Sequence, residues 1–590
     1  MKSASLHIAR SQAHPVLPWT LSRTILCACM MVALIEGVLI FAGIDVAHGV
    51  LIDPDCYMHL QRAFRLMTGG WRLLGFDPRL NAPFGYAIHW TSLFDGLLVA
   101  GAWPLTLFGL SAHQALYVWG SAISPVLLML AMAVFAIGVW PWVRGPSFLW
   151  LTFLLFTQPD LSRDFYPGRP DHHSLILGLF LVQLAWIYSL VAGRTGNGIR
   201  TFAIAFAAGA AAGIELCTTV EALLIILLIS LSLGLAWCLF AEDVLRELAA
   251  YWLGCLVVTL AWLALTRSSV FFEPTYDRVS VVHACVLCAG IAALILAGFL
   301  ARRMPRFAAM GCGSIAAASM VAAFYPAFFL GPWPHLDPVV SAWHREIGEL
   351  QPLMPDSWLR LESCLGQLTA ALLSLPFIFY HLLRGERRLR LAMLTSLCGF
   401  CLFGLLSLAQ MRWSGELQAV ILLPWTLTTQ RIMQSNFALP LGNHNIPLRG
   451  GILSVALLLQ MVPLLQMAPL GNQLVGHAGS STRGCDWTAA TRALAEIRPQ
   501  HGTIMTDLLV GPEILWRTDF DVVGAPYEIP PAIVDTKRFE KGSLREARQV
   551  LVRRHPTYVL SCGSLPKAQA MGLEHLSFAV PNFGFYRVGS

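Results

Sequence analysis

Apolar windows of about 20 residues, the length an α-helix needs to cross a bilayer, recur along most of this chain. They fall near 24–44, 115–139, 146–160, 174–193, 201–217, 219–241, 246–266, 280–300, 307–331, 364–383, 391–410, 416–433 and 450–470. With 56% hydrophobic and only 13% charged residues among 590, no soluble globular chain accounts for this pattern. The reading is a polytopic membrane protein with about thirteen spans. An odd number puts its two termini on opposite sides.

Basic residues then report topology more than partners. Arg194 with Arg200, Arg302 and Arg303 with Arg306, and Arg384, Arg387, Arg388 and Arg390 all fall on one side of this arrangement, which the positive-inside rule makes the cytoplasm. Arg10 and Arg23 precede the first span and Glu36 lies within it, without a small-residue cleavage site, so the first helix is expected to be retained. The stretch from Leu93 to Leu110, which carries Asp95 and Pro104, would break the parity and reads as an interfacial or re-entrant helix. No basic arm or aromatic-interleaved basic stripe suggests nucleic acid. The 14 cysteines are mostly scattered through apolar segments and read as small hydrophobes.

Segment 1–23 is thus expected to be cytoplasmic and 24–470 the membrane domain, with external loops at 45–114, 158–173 and 331–363. Residues 471–590 read as a small external α/β domain, with a helix from Thr488 to Ile497 and strands at Gly502–Leu509, Val522–Tyr527 and Thr557–Cys562. Its cysteines, Cys485 and Cys562, either form a disulfide in an oxidising compartment or stay a buried free pair.

Polar groups gather on the external side. Asp53, Asp55 and His59 follow the first span, Asp171-His172-His173 precedes the fourth, Glu349 lies in the later loop, and Arg412 sits in the tight connection Gln410-Met411-Arg412-Trp413. Carboxylates with imidazole suit a divalent ion, Mg²⁺ or Mn²⁺, with Mn²⁺ accepting imidazole more readily. An adjacent Arg suits a phosphate. Each also has a plain structural role: Asp53 and Asp55 as helix caps, the histidines as interfacial residues, Glu349 as a solvated carboxylate, Arg412 as a snorkelling side chain.

Three stretches carry a family resemblance. Asp55 to Leu60, Phe76 to Gly85 with His89 to Asp95, and Gly168 to His173 resemble the first external loop and the Asp-x-His motif of archaeal-type oligosaccharyltransferase catalytic subunits. The resemblance implies an all-α polytopic membrane domain of GT-C type with thirteen transmembrane helices, followed by the external α/β domain. It implies that Asp55, Asp171 and His173 hold a metal, that Asp55 and Glu349 serve catalysis on the acceptor side, and that Arg412 grips the donor phosphate. Asp53 is the rival for the first-loop role, His59 is a further first-loop candidate, and His172 points elsewhere or orients a ligand. The chain departs from the family at the Trp-Trp-Asp-Tyr-Gly motif. Its place is taken by Thr503 to Gly511, where Asp507 is either a remnant or a loop residue after a strand.

The expected function is transfer of a sugar or oligosaccharide from a polyprenyl phosphate or diphosphate carrier to a protein, lipid or polysaccharide acceptor, among membrane lipids. The expected setting is a bacterial inner membrane with the C-terminal domain in the periplasm. The alternatives are a GT-C enzyme using a polyprenyl-phosphate monosaccharide, or a transporter or flippase built around Glu215 and Glu221.

Overall fold

The computed structural model describes residues 19–41, 46–69, 76–193, 198–240, 244–266, 271–332, 336–354, 358–434, 438–441, 444–467, 485–498 and 501–589. Arg10, Arg194 and the start of the C-terminal domain at 471–484 lie outside the described residues.

A helix occurs at every one of the thirteen apolar windows. Ten are long and apolar enough to cross a membrane, running from Leu21–Phe41 to Arg387–Ala409. The other three are Pro146–Phe156, Ser414–Gln434 and Leu448–Met467. Pro146–Phe156 is shorter than the predicted 146–160 span: its 11 residues rise only about 16 Å. The chain breaks at Thr157-Gln158 and resumes as the short helix Pro159–Arg163, where Pro159 sits at the first helical position. Leu93–Thr106 is a 14-residue apolar helix, about 21 Å long.

Arg302 and Arg303 lie in the turn between Val281–Leu300 and Arg306–Phe324, and Arg384 and Arg387 flank the turn between two later helices. The Arg388 guanidinium reaches the turn at Gly193, and near the end of Ala222–Phe240 Arg306 donates to the Trp237 carbonyl at 2.8 Å while Arg390 lies over the Phe240 ring, so these basic clusters share one end of the bundle. The polar candidates share the other.

Strand β1 (Phe76–Asp77) pairs with β2 (Tyr86–Ala87) and β3 (Ala438–Leu441) with β4 (His444–Pro447), while residues 485–589 form the α/β unit. Its sheet joins β5 (Thr503–Met505), β6 (Asp521–Val522), β7 (Tyr558–Cys562), β8 (Leu573–Leu576) and β9 (Phe583–Val588) in the order β6-β5-β7-β9-β8. β6, β5 and β7 are parallel, whereas β9 runs antiparallel to β7 and β8. β8 and β9 were not expected from the sequence. The predicted strand at Val522–Tyr527 is confined to Asp521–Val522, because the chain turns away to bury Val523, Ala525 and Tyr527. The cysteines are paired: Cys485 and Cys562 form a disulfide.

This domain is fastened to the first external loop. The Arg554 guanidinium, 1% exposed, bonds Asp535 at 2.7 Å and Asn81 Oδ1 at 2.8 Å. Arg79 donates to the Phe520 carbonyl at 2.8 Å, and Leu80 bridges Val522. The helix Pro338–His344 joins from the other side, where Val340 and Trp343 pack on Leu508 and Ile533. Three sequence-distant segments thus meet over one end of the bundle.

Candidate functional site

Two helix starts make the floor of the site. Asp53 caps Pro54–Thr68, its carboxylate accepting from Cys56 N at 3.1 Å, and Pro54 supplies the preset φ of the first position. Asp55 sits in that first turn. Asp171 caps His172–Val191 in the same way, accepting from His173 N at 3.4 Å. Capping explains Asp53 and Asp171 locally, but both also take part in a larger charge cluster.

Arg169 is the centre of that cluster. Only 4% exposed, its guanidinium lies 3.3 Å from Asp53, 3.0 Å from Asp164 and 3.2 Å from Asp171. The loop that carries it turns at Gly168, whose φ is +75° and where a Cβ would meet Val46 at 2.9 Å. Only glycine lets this loop lie against the first one, where Ile52 N donates to the Gly168 carbonyl at 3.2 Å.

Behind Asp171 runs a buried hydrogen-bonded chain. His172 Nδ1 is 2.8 Å from Asp171 Oδ1 and 3.0 Å from His59 Nε2, while His59 Nδ1 is 2.7 Å from Asp95. Arg62 closes it at 2.8 Å from Asp95, and Trp90 stacks on His59 at 4.7 Å. Ligand atoms of His59, Asp171 and His172 lie within 4.8 Å of one another, a spacing open to a metal ion. Both His59 nitrogens are nevertheless committed to partners, and the chain ends on the Asp171 carboxylate.

In front of Asp171 opens a cavity of about 950 Å³ whose polar end includes Asp55, His173, Glu349 and Arg412. Its wall continues along Leu223, Leu224, Leu227, Phe328 and Phe329. Arg412 is ion-paired with Glu221, which lies just before the helix Ala222–Phe240. Burial, then Asp53, Asp171 and Glu349, push the Asp55 carboxyl well above its usual range, with Arg169 the opposing charge. Asp171 is held well below that range despite burial, by His173, His172 and Arg169. Glu349 is likewise lowered against burial, by Arg412 and His173.

The structure therefore brings Asp55, His172, His173, Glu349 and Arg412 to one cavity, with Asp53 and Asp171 bound to Arg169 beside it. Asp507 stands apart. Its carboxylate accepts from Leu509 N at 2.8 Å in a turn after β5, and it does not line the cavity. Reading the sequence missed Arg169, Asp164 and Asp95. Arg169 was visible as a basic residue inside an acidic motif, and Asp95 as a lone carboxylate in an apolar stretch.

No family model matches the chain. Among curated proteins, dolichyl-phosphooligosaccharide-protein glycotransferase 1 of Archaeoglobus fulgidus is 28% identical over 130 residues, a match spanning 22% of this chain and 21% of that protein. Solved structures match far more of the chain at lower identity. The Archaeoglobus fulgidus oligosaccharyltransferase AglB, in complex with an inhibitory peptide and a dolichol-phosphate, aligns over 96% of this chain and 75% of its own, at 14% identity and a TM-score of 0.67. The same enzyme in complex with Zn and sulfate aligns over 95% of this chain and 73% of its own, at 14% identity and a TM-score of 0.60. ArnT from Cupriavidus metallidurans, bound to undecaprenyl phosphate, aligns over 95% of this chain and 98% of its own, at 14% identity and a TM-score of 0.55. The chain has the oligosaccharyltransferase-like GT-C fold of an integral membrane protein, with a small sheet-containing C-terminal region.

Proposed function

We propose that this protein is a membrane glycosyltransferase that moves a sugar or oligosaccharide from a polyprenyl phosphate or diphosphate to an acceptor on the external side. The observation that carries this reading is the continuity of the cavity from Asp55, His173, Glu349 and Arg412 to an apolar wall. An anionic headgroup beside an isoprenoid chain has that polarity. The relatives that bind dolichol-phosphate and undecaprenyl phosphate support it.

A divalent cation, Mg²⁺ or Mn²⁺, fits the donor set. Asp55 faces Asp53, Asp171 and Glu349 with Arg169 as its opposing charge, a surplus of negative charge that a cation relieves. Asp55, Asp171 and His173 would hold it, and the sulfate- and Zn-bound relative supports such a site. When bound, the ion supplies Lewis-acid stabilisation of the phosphate leaving group.

The chain's own residues do the rest. Arg412 offers its guanidinium to the donor phosphate, oriented by Glu221. Asp171 is held in place by Arg169 and by the His172–His59–Asp95 chain. The acceptor's oxygen or nitrogen bonds to the anomeric carbon, the bond from that carbon to the phosphate oxygen breaks with its electron pair on the phosphate, and the acceptor's proton passes to Asp55. Glu349 lies at the same polar end and helps hold the acceptor. Direct displacement inverts the anomeric centre.

The basic clusters at the far end of the bundle and the Cys485–Cys562 disulfide favour a periplasmic site in a bacterial inner membrane. A second reading, a monosaccharide donor used on a lipid or polysaccharide, is favoured by the match to ArnT over nearly that whole chain and by the absent Trp-Trp-Asp-Tyr-Gly motif. Transport has less support: Glu215 is bonded by Gln183 at 2.6 Å and Glu221 is paired with Arg412, so both carboxylates have local roles.

The test is mass spectrometry of glycoconjugates from a deletion strain complemented with wild type, Asp55→Asn, Asp171→Asn or Arg412→Ala. Wild type restores a product that the variants do not. Full restoration by all three variants refutes the assignment.

A further inference from the structure

One buried polar group in the cavity is used by nothing described so far. Tyr527 belongs to the external domain, yet it lines the cavity together with Asp55, His172 and Glu349. It is 3% exposed, and its hydroxyl has no partner among the described residues. A buried hydroxyl left unbonded is unfavourable, and a ligand's acceptor atom would satisfy it.

Its placement is well determined. The ring packs edge-on against Trp90 with centroids 4.7 Å apart, and Trp90 itself stacks on His59. The next residue is anchored too, since Tyr86 of the first loop donates to the Glu528 carbonyl at 2.8 Å and Glu528 pairs with His344 at 2.9 Å. Tyr527 N donates to the Ala525 carbonyl at 2.8 Å, so the turn holding the side chain is closed on itself. Burial, then the Asp55 and Asp53 carboxylates, push the phenol well up, which keeps it a hydrogen-bond donor.

We propose that Tyr527 binds the acceptor: its hydroxyl donates to the acceptor group whose own O–H or N–H faces Asp55. A carboxylate that accepts and a phenol that donates, on one cavity, select a group that does both, such as a hydroxyl or a primary amide. The role deepens the proposed transfer reaction and rests on it. During transfer the new bond forms at the acceptor atom, the sugar–phosphate bond breaks toward phosphate, and the acceptor's proton goes to Asp55. Tyr527 keeps its own proton throughout. The external domain thereby reaches the acceptor through a residue unrelated to the missing Trp-Trp-Asp-Tyr-Gly motif.

Tyr527→Phe retains the ring on Trp90 and removes only the hydroxyl. Two readouts are taken on full-length protein: glycoconjugate restored in the deletion strain at matched protein level, and the thermal shift of purified protein on adding undecaprenyl phosphate with Mn²⁺. The expected result is at least a tenfold loss of product with an unchanged thermal shift, because the donor side is intact. Loss confined to hydroxyl-bearing or to amide-bearing products identifies which acceptor chemistry is read. Wild-type product levels overturn the proposal, as does loss of the thermal shift along with product, which would place Tyr527 on the donor side or in folding. Full product from Asp55→Asn and Arg412→Ala would instead refute the transfer reading itself, whatever Tyr527→Phe does.

Discussion

Replacing Arg169 with Gln tests the charge cluster most directly. The guanidinium lies 3.3, 3.0 and 3.2 Å from the carboxylates of Asp53, Asp164 and Asp171. At an effective dielectric of about 20, each such contact is worth about 5 kcal/mol of gross attraction. Most of that is offset by the desolvation of four charged groups, and removing one partner of a buried ion pair typically costs about 3–5 kcal/mol net. Arg169→Gln is therefore expected to lower stability by about 3–5 kcal/mol, a fall in apparent Tm of roughly 6–10 °C at about 2 °C per kcal/mol, the lower end of the range for mid-sized domains. The assay is thermal unfolding of the detergent-purified protein in chelator. Arg587→Gln, whose 3.6 Å contact with Glu574 is between exposed groups, serves as the control and should change little. A shift below about 2 °C for Arg169→Gln would mean that the three carboxylates do not depend on this guanidinium, and the reasoning would fail.

Three further outcomes follow from other contacts. The disulfide closes a separation of 77 residues, for which the chain-entropy model gives about 4.5 kcal/mol, so Cys485→Ser with Cys562→Ser should lower the unfolding temperature and abolish its sensitivity to reductant. Arg554→Met removes the buried link from Asp535 to Asn81 and should make the first external loop and the C-terminal domain more susceptible to limited proteolysis, with about 3–5 kcal/mol lost. Glu346, against slight burial, is lowered by Lys541 and Lys537, so its contribution is present above the ordinary glutamate range and is lost as pH falls through its folded value. Hydrogen exchange in 338–350 should accordingly rise between about pH 5 and pH 3 in wild type and less in Glu346→Gln, and only modestly because the pair is exposed.

The membrane architecture was legible in the sequence because hydropathy is a local property. Each span needs about 20 apolar residues whatever its neighbours are, so the helix positions followed from the chain alone. Two expected spans ended early, Pro146–Phe156 at a polar Thr157-Gln158 break before Pro159 and Arg306–Phe324 just before Pro326, boundaries that a window average smooths over. The candidate residues Asp55, His173, Glu349 and Arg412 were also found from the sequence, through charge at helix ends and through the family motifs, and the structure lines one cavity with them.

The sequence could not decide what holds these residues or what else joins them. Arg169 gains its meaning from Asp53 and Asp164, which lie on different segments, and Asp95 from His59 and Arg62 in the preceding helix. The two cysteines and the strands β8 and β9 likewise depended on pairing across the chain. Tyr527 is the clearest case: it lies 472 positions after Asp55 in a segment with no motif, and only the packing of the external domain on the first loop brings it to the same cavity. Local periodicity and charge determine which segments are helices and which residues are reactive. Ion pairs, orphaned hydroxyls and cavities are relations between distant segments, and only the tertiary structure sets those.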